Sequence, residues 1–275
     1  MVYNRRVKRL INLGSVSFLN AKPLTYAIEN DLVNHEFELI QTSPSELSQK
    51  LYNKDIDVGL IPVAELLKRK DYRVVPEISI SSIGKVDSVI VLAKSDLKEL
   101  KTIAVDKRSQ SSTALLRIVL EIFYGIKPSY IAKDIDKADM LDGVDGAMLI
   151  GDSGLRQCYS AENPYKVYDL GEIWTNETGL PFVYAVFAVN KNVILGDNLN
   201  ALIESKKYGL SIVDQISEIE SNKLGIDYEI CLKYLSDRIK YELGDEEIKG
   251  IIKYSELLSK LGQAEQISKL DIYSE

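Results

Sequence analysis

Five short clusters of hydroxyl, amide and carboxylate side chains carry the chemistry open to this chain. Each falls where an apolar run gives way to a segment of helical period. The first is Ser15-Val16-Ser17-Phe18-Leu19-Asn20. Just ahead of a helix, its N–H groups and hydroxyls can face an anion; equally, Ser17 or Asn20 can cap the helix. The second, Ser81-Ser82-Ile83-Gly84-Lys85-Val86-Asp87-Ser88, is a turn around Gly84 that leads into a β-branched run. The third is Asp106-Lys107-Arg108-Ser109-Gln110-Ser111-Ser112-Thr113, with four hydroxyl residues in five positions at a helix start, after two cations. That pattern suits a carboxylate cradle, and it also suits a capped, solvated turn. It is not a P-loop, because GxxxxGK followed by Ser or Thr is missing. In the fourth, Ile150-Gly151-Asp152-Ser153-Gly154, Asp152 can bind a hydroxyl, act as a base or cap the helix after it. The fifth runs Trp174-Thr175-Asn176-Glu177-Thr178-Gly179-Leu180-Pro181-Phe182-Val183-Tyr184-Ala185, where Trp174 reads as core or hinge packing.

Several chemistries are excluded at once. His35 is the single histidine and sits in the polar turn Asn34-His35-Glu36, so no Ser–His–Asp or Cys–His pair is in view. Cys158 and Cys231 lie far apart, without a CxxC pair, which leaves no zinc set. Both thiols are expected to be reduced and structural. The fourth cluster lacks the GxGxxG form, so no dinucleotide fold is expected. Lys and Arg number 34 against 41 Asp and Glu, a net charge of −7. No basic surplus offers itself to nucleic acid, and an anionic ligand has to be held by local cations or N–H groups.

These clusters need elements to position them. Residues 8–13 read as a strand, and residues 20–29 as a helix with Pro23 in its first turn. Residues 37–41 are a second strand. Ser43, Pro44 and Glu46 then open a helix to about Tyr52 as N-cap, N1 and N3. Residues 57–61 form a buried strand, and Pro62 starts a short helix through Leu67. This βαβαβα order predicts a parallel sheet with helices on its faces. Residues 74–80 and 87–93 are strand-like; then the pattern restarts with a strand at 102–105, a helix at 112–123 closed by Gly125, and strands at 147–150 and 167–170. Residues 181–189 form a long apolar strand, and from Leu199 the chain turns helical. No low-complexity linker separates two units. The second α/β unit is therefore expected inside the first, with crossings near 87–93 and 181–189 and a ligand cleft between the two. The expected domains are residues 1–90 plus 187–275, and residues 91–186.

A basic start, Arg5, Arg6, Lys8 and Arg9, precedes a stretch broken by Asn12, Gly14 and Ser15, so a secretory signal is not expected. No window of 18 apolar residues occurs. The expectation is a cytoplasmic chain with no membrane partner.

The clusters, in this order, resemble the menaquinone-biosynthesis family of the futalosine route. The similarity rests on Gly14-Ser15-Val16-Ser17-Phe18-Leu19-Asn20-Ala21-Lys22-Pro23-Leu24, Asp57-Val58-Gly59-Leu60-Ile61-Pro62-Val63 and Ser81-Ser82-Ile83-Gly84-Lys85-Val86-Asp87-Ser88-Val89. It continues through Ser109-Gln110-Ser111-Ser112, Ile150-Gly151-Asp152, Tyr168-Asp169-Leu170-Gly171, Thr178-Gly179-Leu180-Pro181-Phe182-Val183-Tyr184-Ala185 and the helical tail at 224–262. The resemblance implies a two-domain fold like the type II periplasmic binding proteins, with two crossover strands, no metal and no organic cofactor. It implies dehydration of a small dicarboxylate, chorismate, to 3-[(1-carboxyvinyl)oxy]benzoate. The chain departs from the family's usual Arg-Thr-Ser in the third cluster, where it has Gln110-Ser111-Ser112; Lys107 or Arg108 would have to replace that cation.

On this resemblance Ser17, Ser82, Ser88, Ser109, Ser111 and Ser112 would bind the substrate, chiefly its carboxylates. Asn20 would orient the substrate or the leaving hydroxyl, and Asp152 would bind the ring hydroxyl or serve as base. The substrate's own enolpyruvyl carboxylate is the other available base. Two other readings share these motifs: the pathway's 1,4-dihydroxy-6-naphthoate synthase and a non-catalytic small-carboxylate binding protein.

Overall fold

The structure is a computed structural model that describes residues 10–106, 110–133 and 140–274. Its first sheet has the order β2-β1-β3-β10-β4, with β1 Ile11–Ser15, β2 Phe37–Gln41, β3 Val58–Pro62, β4 Tyr72–Ser82 and β10 Phe182–Asn190. The second has the order β7-β6-β8-β5-β9, with β5 Ile90–Ala93, β6 Thr102–Asp106, β7 Ser129–Lys133, β8 Gly146–Leu149 and β9 Lys166–Asp169. In the first, β1 runs parallel to β2 and β3 while β10 is antiparallel to β3 and β4. In the second, β6 runs parallel to β7 and β8 while β5 is antiparallel to β8 and β9. The two sheets thus share one plan, although the sequence holds no visible repeat.

The local signals act where physical chemistry places them. Helix α2, Pro44–Asn53, starts at Ser43, whose hydroxyl accepts the Glu46 N–H at 3.4 Å. Helix α3, Val63–Leu67, follows Pro62 directly. β3 is buried along most of its length, and α2 packs against it. Gly14 and Gly59 sit side by side in the β1–β3 register, and a Cβ on Gly14 would lie 2.3 Å from Leu47 Cδ1. This close approach lets α2 settle on the sheet.

Some expectations shift. The helix expected at 20–29 begins as a 3-10 turn, Leu19–Ala21, and becomes helix α1 at Lys22–Glu29, with no side-chain cap from Ser17 or Asn20. Helix α4, Gln110–Arg117, starts earlier than expected and continues through Ile118–Phe123 as a wider π-helical stretch. Residues 87–89 precede β5 rather than belonging to it. Strand β7 escaped notice because most of its residues face solvent as an edge strand.

The chain passes between the sheets twice, outward through residues 83–89 and back through helix α6, Leu170–Thr178. Helix α5, Gly151–Cys158, follows β8. After β10 come α7 Asp197–Ser211, α8 Val213–Leu224, α9 Tyr228–Lys233 with a π-helical extension Tyr234–Arg238, and α10 Asp245–Lys260. Among the described residues no helix is long and apolar enough to cross a membrane. Cys158 and Cys231 are both free thiols, and Trp174 is fully buried.

Candidate active site

A cavity of about 290 Å³ opens where the loop after β1, the outgoing crossing, α4 and the start of α5 converge. That volume is at the lower end for small-molecule sites, suited to a ligand of about one ring. Its walls are mainly apolar and aromatic, from Phe18, Leu60, Leu115, Phe182, Tyr184 and Tyr254 among others. Phe182 anchors the aromatic wall: its ring lies 5.0 Å from Tyr254, 4.9 Å from Tyr184 and 5.1 Å from Trp174. Trp174 is held in turn by its indole N–H donating to the Pro181 carbonyl at 3.2 Å.

Asn20, Ser88 and Ser112 bring neutral polar groups to this cavity. Ser88 is held from behind, since the Tyr234 hydroxyl lies 2.8 Å from its Oγ. Tyr234 is fully buried, and desolvation pushes its ionisation far above the ordinary phenol range. It is therefore a neutral hydroxyl that holds Ser88 from a distant part of the chain.

Asp152 stands just outside the lining, while its neighbours Ile150 and Gly151 form part of it. Its Oδ1 accepts the Leu19 N–H at 3.0 Å, so it secures the loop that presents Asn20 instead of capping α5. Burial raises its carboxyl pKa, opposed mainly by that N–H and by Arg156. Helix α5 also fits tightly against the crossing: a Cβ on Gly154 would fall 2.2 Å from the Ser88 carbonyl oxygen. Only glycine allows that approach.

The crossing that carries Ser88 is fastened from both sides. Asp169 accepts the N–H groups of Val86 at 3.0 Å and Asp87 at 2.7 Å on one oxygen, and those of Gly171 at 2.9 Å and Glu172 at 3.0 Å on the other. Asp87 has a positive φ of 62°. Its carboxylate accepts Arg238 Nε at 2.6 Å and the Tyr159 hydroxyl at 2.7 Å.

The remaining expected residues lie elsewhere. Ser17 is exposed and is not part of the lining. Ser82 is fully buried behind the wall, paired with the Tyr184 hydroxyl at 2.9 Å. Ser109 lies outside the described residues, as do Lys107, Arg108 and the side chain of Ser111. Tyr234 and Arg69 carry no signal in the sequence. Tyr234 is masked by its place in an apolar helical pattern, and Arg69 by the charged run Lys68-Arg69-Lys70-Asp71. Among the described residues no group of three or more His, Cys, Asp or Glu side chains is placed to hold a metal ion.

Two sheets of one plan, two crossings and a cavity between them define the periplasmic-binding-protein fold. The aliphatic sulphonate binding protein SsuA of Escherichia coli has this architecture, with a TM-score of 0.66 at 15% identity over 96% of this chain and 91% of that one. A crystal structure of an Archaeoglobus fulgidus protein gives a TM-score of 0.77 at 20% identity, covering 92% of this chain and 97% of that one. The model of the menaquinone biosynthesis family matches residues 11–260, and the chain belongs to that family. A Thermus thermophilus relative named chorismate dehydratase is 27% identical over 263 residues, 90% of this chain and 94% of its own length. A Campylobacter jejuni relative of the same name is 24% identical over 258 residues, 91% of this chain and 99% of its own length.

Proposed function

We propose that this chain is a chorismate dehydratase, a hydro-lyase converting chorismate to 3-[(1-carboxyvinyl)oxy]benzoate and water. One observation carries the reading: a ring-sized, aromatic-walled cavity that gathers the neutral polar groups of Asn20, Ser88 and Ser112. The two relatives named for this activity match it along most of the chain.

The chemistry follows from the substrate. The C1 carboxylate acidifies the C3 hydrogen through the ring double bond. Loss of the C3 proton and cleavage of the C4–O bond leave an aromatic ring, with proton and hydroxide departing as water. A base, a holder for the developing charge and a partner for the leaving hydroxide are required. Asp152 stands outside the cavity lining with one oxygen accepting the Leu19 N–H, and Glu65, which lines the cavity, pairs with Lys68 at 2.6 Å. The substrate's own enolpyruvyl carboxylate is therefore the base in this mechanism. The protein's task is to hold the conformer that brings this carboxylate over C3, an orientational contribution. Asn20 orients the leaving hydroxyl, Ser88 and Ser112 bind carboxylate oxygens, and Asp152 fixes the loop that carries Asn20.

Incubation with chorismate, followed by chromatography with mass detection, tests the proposal. A product lighter by one water with a benzoate-like ultraviolet spectrum is expected. Chorismate bound but unchanged would instead indicate a binding protein.

A further inference from the structure

The cavity needs more than neutral donors. On the dehydratase reading, on which this inference rests, the substrate carries two carboxylates into a protein of net charge −7. A dianion entering an acidic protein needs a local cation. The described lining residues include two ionisable groups of opposite sign, Glu65 and Arg69. Glu65 is matched by Lys68 at 2.6 Å, one turn along the chain. Among the described residues Arg69 makes no ion pair. Its guanidinium carbon instead lies 3.6 Å from the centroid of the Tyr52 ring, stacked on the face of that side chain.

Such stacking fixes the plane of the guanidinium and leaves its N–H edge unspent, the arrangement that suits a carboxylate fork. Tyr52 belongs to α2, and the same helix brings Ser45, Ser48 and Gln49 to the cavity wall. Tyr52 is half exposed, which puts the stacked pair on the solvent side of the site. We infer that Arg69, held flat by Tyr52, binds one carboxylate of the substrate and selects dianionic ring compounds over monoanionic ones.

The test compares wild type with Arg69→Gln and Arg69→Lys. Turnover of chorismate is measured together with calorimetric binding of chorismate and of its monomethyl esters. A lost charged hydrogen bond should raise KM and Kd for chorismate about 10- to 100-fold in Arg69→Gln, with kcat changed much less. Arg69→Lys should recover part of the affinity. Wild type should prefer chorismate to one of the esters, and Arg69→Gln should lose that preference. Unchanged KM and Kd in a folded Arg69→Gln variant overturn the role of Arg69 while leaving the dehydratase reading intact. Wild type that binds chorismate without turning it over, with binding lost in Arg69→Gln, overturns the dehydratase reading and upholds Arg69. Wild type that neither binds nor converts chorismate overturns both.

Discussion

Replacing Asp169 with Asn probes the fastening that sets the position of Ser88. The carboxylate now accepts four backbone N–H groups, two from the crossing at Val86 and Asp87 and two from the start of α6. An Asn side chain has one oxygen and one NH₂ group in the same footprint. Its oxygen can serve one pair of donors, and its NH₂ then faces the other pair. Two N–H groups lose their acceptor at a site where Asp169 is 6% exposed. At about 1–3 kcal/mol for each unsatisfied buried group, the cost is about 2–6 kcal/mol. With a urea slope near 3 kcal/mol per molar, a loss of about 4 kcal/mol lowers the midpoint by about 1.3 M. Urea unfolding at pH 7, followed by tryptophan fluorescence from Trp174, measures it. Asp96→Asn is the control, because Asp96 accepts the exposed Lys98 N–H at 3.0 Å and should cost about 1 kcal/mol or less. If Asp169→Asn is no more damaging than Asp96→Asn, the reasoning fails. The same variant should also raise KM for chorismate, because Ser88 loses its fixed position.

Two further outcomes follow from the site. Because burial raises the Asp152 carboxyl pKa, the unfolded chain gives up this proton at lower pH than the native one. The native state therefore holds more protons as pH rises from about 4, and wild type should lose stability relative to Asp152→Asn toward neutral pH. Urea midpoints of the two proteins should diverge with pH; parallel curves would contradict the assignment. Tyr234→Phe removes only the hydroxyl that tethers Ser88, so KM for chorismate should rise about 10-fold through misplacement of a binding group, with kcat changing less. An unchanged KM would show that the position of Ser88 does not depend on Tyr234.

Much of this architecture is local and therefore legible. Ser43 and Pro44 announce α2, the apolar run at 58–61 announces a buried strand, and Pro62 announces α3. Strand β7 and helix α6 were not legible. The first is paired by its backbone at an exposed edge; the second is set by the Asp169 cap and a Gly179 terminus amid polar residues. The site divides in the same way. Asn20, Ser88 and Ser112 stand in recognisable clusters and reach the cavity, whereas Ser82 carries the same signal and turns to Tyr184. A hydroxyl's partner depends on residues far away in sequence: Tyr234 meets Ser88 across 146 positions. Arg69 was hidden for a related reason, since a charged run looks solvated until α2 supplies Tyr52 beneath it.

The central claim is the reaction itself. Purified protein supplied in parallel with chorismate and with the cyclic futalosine-derived substrate of the same route decides it, by mass and ultraviolet spectrum of the products. One water lost from chorismate, an aromatic product and no change in the second substrate are expected. Unchanged chorismate beside formation of 1,4-dihydroxy-6-naphthoate would contradict the claim.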